Sequence, residues 1–130
     1  MTEKHSNSDR ATPIVRLRKR SQFLTARRGI TIRERAVVVQ AVKRGDEKSH
    51  IGEGFTATKK VGNAVIRNRA KRRMREAARQ LLPRHGRAGA DYVFIARATT
   101  ATITWQRLLD DMETALISLA GRFGTDPEQT

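Results

Sequence analysis

The sequence predicts an α+β domain in which one mostly antiparallel sheet is sandwiched with three helices. Three observations point there. Two stretches, 64–82 and 105–120, repeat apolar residues every three and four positions, the period of a half-buried helix. Two runs, RAVVVQAV and DYVFIAR, are short and rich in β-branched and aromatic residues, which suits strands. Helical and extended segments also alternate without internal repeats, as in a sheet covered by helices.

Each element has a local reason. Residues 1–13 are polar and aperiodic and read as a disordered tail, 14–121 as one domain, and 122–130 as a flexible tail. Ser21 suits the N-cap of a short first helix, QFLTARR, and Gly29 suits its stop. ITIRERAVVVQAV follows as strand material, then KRGDEKSHIGEG as a polar loop. GFTATKK alternates, with Phe55 and Ala57 on one face. RAVVVQAV and GFTATKK, with the loop between, read as an antiparallel hairpin. Gly62-Asn63 breaks the strand after Lys59-Lys60, and Asn63 caps the long helix. Ile66, Ala70, Met74, Ala77 and Leu81 form its apolar stripe, and Pro83 ends it. After DYVFIAR, Thr104 caps a last helix with Trp105, Leu108, Met112, Leu116 and Leu119 inward, closed by Gly121.

The charge is placed rather than smeared. The chain has 130 residues and a formal net charge of +14. Residues 59–82 alone hold nine Lys and Arg against Glu76, and 10–28 hold seven with no acid. Such blocks imply a polyanionic partner. A membrane surface is a poor candidate, because the stripe of the basic helix is mostly Ala and Met without an aromatic anchor. DNA is also a poor one, because a strand and not a helix precedes the basic helix. The N-terminus lacks a signal-like apolar region and no run is long enough for a bilayer, so a cytoplasmic protein is expected. There is no cysteine, hence no disulfide or zinc–thiolate site.

No catalytic or metal-binding constellation is legible. His5, His50 and His85 fall in a tail and two loops without partners at metal spacing, and Asp110 and Asp111 point apart on a helix. Nucleic-acid binding is legible. Arginines three and four apart can meet successive phosphates, bond them in bidentate fashion and stack on bases. A solvated helix is the bland alternative, but like charges four apart repel and give a folded helix no advantage. Lys59 and Lys60 suit either an anion site at the helix N-terminus or a guard against edge-strand aggregation. Phe23 and Phe55 suit either core packing or stacking on single-stranded bases.

The stretch GFTATKKVGNAVIRNRAKRRMREAARQLL resembles the signature of the bacterial ribonuclease P protein subunit. The matching pieces are Lys59-Lys60, Gly62 to Val65, Arg67-Asn68-Arg69, Lys71-Arg72 and Arg75-Glu76, almost without gaps. RLRKRSQF and DYVFIAR extend the likeness over roughly residues 14 to 120. The resemblance implies a ribosomal-protein-like fold with a left-handed βαβ crossover around the basic helix. It implies ribonuclease P RNA and precursor tRNA as partners, and hydrolytic removal of the tRNA 5′ leader. The catalytic RNA would hold the Mg²⁺ ions and perform the chemistry. Lys59, Lys60, Asn63, Arg67, Asn68, Arg69, Lys71, Arg72 and Arg73 would contact that RNA. Phe23, Arg27 and Phe55 would line the leader cleft. Arg27 and Gln40 stand where aromatics are frequent in the family, and Gly52-Glu53 where a basic and an aliphatic residue are common. More phosphate attraction and less stacking is therefore expected. A structural RNA-binding protein of the ribosomal type, with no part in catalysis, is the alternative.

Overall fold

A computed structural model describes residues 12–124. The tails expected at 1–13 and 122–130 lie largely outside the described residues. Along the chain the elements are β1 (Ile14–Arg16), α1 (Arg20–Arg27), β2 (Ile30–Arg33), β3 (Val37–Lys43), β4 (Ile51–Thr56), a 3₁₀ turn (Lys59–Val61), α2 (Ala64–His85), β5 (Ala90–Ala96) and α3 (Trp105–Phe123). The sheet order is β1-β4-β5-β3-β2. β2, β3 and β5 pair antiparallel, with the longest register between β3 and β5, whereas β1, β4 and β5 run parallel. The three helices and the sheet confirm the expected class.

The expected hairpin of β3 and β4 does not form. β5 lies between them, pairing Val39 with Phe94 on one side and Phe55 with Phe94 on the other. β3 instead makes its hairpin with β2, across the short turn at 34–36. The 44–50 loop is long enough to carry the chain past β5, so sequence adjacency does not dictate pairing here. β5 is the most deeply placed strand, with Tyr92, Val93 and Phe94 all buried. β4 and β5, parallel neighbours joined through α2, form the βαβ unit.

Helices cover both faces of the sheet. α2 and α3 pack over Val37, Val39, Tyr92 and Phe94, burying Ala70, Met74, Ala77, Leu81, Leu108, Met112 and Leu116. α1 alone covers the other face, around Leu17, Ala26 and Val93. The helix limits differ from expectation in three places. α1 begins at Arg20 because the Gln22 side chain, not Ser21, accepts the N–H groups of Arg18 and Lys19 at 3.0 and 2.9 Å. α2 passes Pro83 and ends at His85, since a proline two residues from the end forfeits little ladder. Arg84 and His85 also meet Glu113 of α3 at 2.6 and 2.8 Å, which holds that last turn in place. α3 passes Gly121 because Phe123 is buried edge-on against Tyr92.

The Glu113 pair has a pH consequence. Hydrogen bonding from His85 and Arg84 outweighs desolvation and holds the Glu113 carboxyl below its ordinary 4.5. A depressed carboxylate stabilises the fold above its unfolded pKa, and that contribution is lost as pH falls through the folded value. Glu113→Gln is therefore expected to lower the melting temperature at pH 6 to 7 and to leave it nearly unchanged near pH 3. An equal shift at both pH values would count against the assignment.

Candidate nucleic-acid interface

The cationic face is assembled where β4 hands over to α2. Lys59 and Lys60 do not end a strand as expected. They sit on a 3₁₀ turn closed by Val61 N–H to Thr58 O at 3.0 Å, both exposed, one turn ahead of the α2 N-terminus. Gly62 has φ of 150°, a conformation L side chains avoid, and a Cβ there would crowd Ile66 at 3.0 Å. Asn63 caps α2 as expected, its Oδ1 accepting the Ile66 N–H at 3.0 Å. That oxygen is committed to the fold, so only the Asn63 amide NH₂ remains to meet a ligand.

Burial of Ala70, Met74 and Ala77 turns the opposite side of α2 outward. Asn68, Arg69 and Arg72 are exposed, and Lys71 is half-exposed. Arg67 is half-buried, with a buried Nε that has no hydrogen-bond partner in the structure. Arg73 belongs elsewhere: its guanidinium donates to the carbonyls of Thr100 and Ile103, tying α2 to the loop before α3. Burial, and then the neighbouring Arg69 charge, pulls Arg73 below the ordinary arginine range. Sequence spacing placed Arg73 with its neighbours because nothing local reveals a carbonyl pair thirty residues away.

The three expected cleft residues do not converge. Phe23 lies on the α1 face of the sheet with Leu17 and Val93, and Arg27 is exposed on the same helix. Gly54 makes room for Phe23: a Cβ there would stand 2.6 Å from the ring. Since Gly54 faces Phe23, alternation turns Phe55 to the opposite face. There Phe55 stacks on Phe94 at 5.4 Å between centroids, with the Arg16 guanidinium 5.4 Å above it. Phe55 is thus half-buried against the core on the α2 side. The α1 face instead presents Gln40 and Thr31, paired across β2 and β3 and two residues from Val42 in register. The even spacing of Gln40 from Val42 was readable, but its pairing with Thr31 and the face that α1 covers were not. Gly54→Ala is expected to push Phe23 off the sheet and destabilise by about 1–3 kcal/mol, as overpacking does. Phe23→Leu in the same chain is expected to restore part of it, measured by urea unfolding; no recovery would mean the clash lies elsewhere.

Comparison with known proteins agrees with this architecture. The family model described as Ribonuclease P matches residues 13–120. The ribonuclease P protein component of Caulobacter vibrioides is 58% identical over 105 residues, covering 81% of this chain and 70% of the relative. That of Ruegeria pomeroyi is 54% identical over 105 residues, covering 79% and 84%. The solved Staphylococcus aureus RNase P protein superposes with a TM-score of 0.67 at 28% identity, covering 80% of this chain and 94% of that one. The Thermotoga maritima RNase P protein gives 0.65 at 26%, covering 79% and 96%. With a matching family model over most of its length, close relatives and a shared fold, the chain belongs to the ribonuclease P protein-component family.

Proposed function

We propose that this subunit docks on the catalytic RNA of ribonuclease P through the face of Lys59, Lys60, Asn68, Arg69, Lys71 and Arg72, and holds the single-stranded 5′ leader of precursor tRNA on the α1 face of the sheet. The observation that carries the reading is the outward stripe of cations on a helix whose other side is fully buried. Phosphate recognition accounts for that arrangement, and solubility alone does not. Arg27 and the neutral Gln40 and Thr31 beside Phe23 suit a leader held by phosphate attraction and hydrogen bonding more than by stacking. Arg67 and the Asn63 amide stand at the edge of the docking face, and Arg73 supports it from behind.

Among the described residues no three carboxylate, histidine or cysteine side chains converge on a point that could hold a metal ion. In this reading the Mg²⁺ ions belong to the RNA, and the protein binds and orients. No described helix is long and apolar enough to cross a membrane, and we place the holoenzyme in the cytoplasm.

The test is precursor-tRNA cleavage at low Mg²⁺ with the chain alone, the ribonuclease P RNA alone, and both. Release of the 5′ leader only by the combination is the expected result. RNA binding without any gain in cleavage would point instead to a purely structural RNA-binding role.

A further inference from the structure

The cationic stripe of α2 does not stop at the docking face. Lys71, Arg75 and Arg79 follow at four-residue steps, and Arg72 flanks them. This row enters a groove between the C-terminal half of α2 and the β1–β4 edge. The groove has a volume of about 230 Å³ and is lined by Ile14, Arg16, Glu53, Arg75, Arg79 and Pro83. Three guanidinium groups from two elements therefore face one carboxylate.

Glu53 is in this groove because of strand parity. Gly52 and Gly54 turn toward the α1 face, so Glu53 turns toward α2 beside Phe55. Its side chain is largely buried, and its ion pair with Arg16 is long: Arg16 Nε stands 3.8 Å from Glu53 Oε2. Arg79 leans instead to the exposed Glu76 at 3.4 Å. Burial keeps the Glu53 carboxyl above its ordinary range although Arg16, Arg75 and Arg79 each act to lower it. Counting Glu76 with Glu53, three guanidinium groups meet two carboxylates at this groove, which keeps a net positive charge. Its volume is several times the roughly 30 Å³ share of a water molecule, enough for a tetrahedral oxyanion with part of its hydration.

We infer that this groove is a second phosphate site, in which Arg16, Arg75 and Arg79 hold one phosphate of an RNA backbone and Glu53 is a built-in competitor that limits its affinity. The site lengthens the RNA footprint along α2 and across to β1. Only the source of the phosphate rests on the ribonuclease P reading; the anion chemistry does not.

Inorganic phosphate titrated into the full chain, followed by amide and arginine side-chain NMR shifts, tests the anion chemistry. Arg75→Gln with Arg79→Gln is expected to weaken phosphate binding at the groove at least about tenfold, since two of three cations are removed. Glu53→Gln is expected to strengthen it several-fold, because a carboxylate about 4 Å from a bound anion is removed. Unchanged phosphate binding in either variant, with melting curves showing both folded, overturns the site. So does a titration whose shifts cluster only at Lys59, Lys60 and the α2 N-terminus.

Separate arms with ribonuclease P RNA and with precursor tRNA identify the source. The double variant is expected to lose affinity in one arm and to flatten its log K against log salt slope by about one to two. Loss with ribonuclease P RNA assigns the phosphate to that subunit, and loss with precursor tRNA assigns it to the substrate. No loss in either overturns the RNA footprint. Failure of the unaltered chain to bind either RNA would instead fall on the ribonuclease P reading, leaving the phosphate result to stand by itself.

Discussion

Alanine at Lys59, Lys60 and Arg69 together is expected to lower the affinity for ribonuclease P RNA by roughly 100- to 1000-fold at physiological salt. All three side chains are exposed, none carries core packing, and they surround the α2 N-terminus, where backbone N–H groups add to the attraction for phosphate. A charge-assisted contact to phosphate at a solvent-exposed position is worth about 1–1.5 kcal/mol, so three give about 3–4 kcal/mol. Their loss also reduces counterion release, and the slope of log K against log salt is expected to flatten by about two to three. Binding measured across a salt series checks both quantities at once. Unchanged affinity and slope would remove these residues from the interface. Arg73→Ala is the informative contrast. Because its guanidinium serves the Thr100 and Ile103 carbonyls, it should cost stability and leave the salt slope nearly intact.

Arg44→Ala is expected to destabilise the protein by about 3–5 kcal/mol, the largest effect of a single substitution on folding. Arg44 donates to Asp91 Oδ1 at 2.7 Å, to Asp46, and to the carbonyls of Lys48, His50 and Ala90. It therefore joins the end of β3, the 44–50 loop and the start of β5. Asp91 is 4% exposed, so removing its partner strands a carboxylate in the sheet, which costs more than the pair gains by forming. For a domain this size each kcal/mol moves the midpoint by about 4–8 °C, so a drop of roughly 12–40 °C is expected. Arg44→Met combined with Asp91→Asn should lose clearly less than the sum of the two single changes, because each single change strands the other's charge and the double change strands neither. Thermal and urea unfolding of the four variants decides this. A loss below about 1 kcal/mol for Arg44→Ala would mean that water already serves Asp91.

What was legible from the sequence was local in its cause. The apolar stripe of α2 and the cap at Asn63 depend on contacts within one helical turn, and they stand where spacing put them. Thr104 is the same case: its hydroxyl accepts the Arg107 N–H at 3.3 Å. Because the stripe fixes which side is buried, the exposure of Asn68, Arg69 and Arg72 was legible too. The signature around Arg67-Asn68-Arg69 carried the family for the same reason, since it lies on one continuous element.

Tertiary structure decided what depends on partners distant in the chain. Strand composition says that a segment extends, but not which strand it meets, so the insertion of β5 between β3 and β4 was not in the local pattern. Once that pairing exists, parity does the rest. Gly54 faces Phe23, Phe55 turns away to Phe94, and these two residues expected to line one leader cleft divide between two faces of the sheet. The same turn sends Glu53 among Arg16, Arg75 and Arg79. Pro83 and Gly121, both strong local stop signals, were overridden where Glu113 and Tyr92 gave the next residues something to hold. Helix faces follow from a period that every few residues restate, whereas strand faces follow from a register that only the assembled sheet can set.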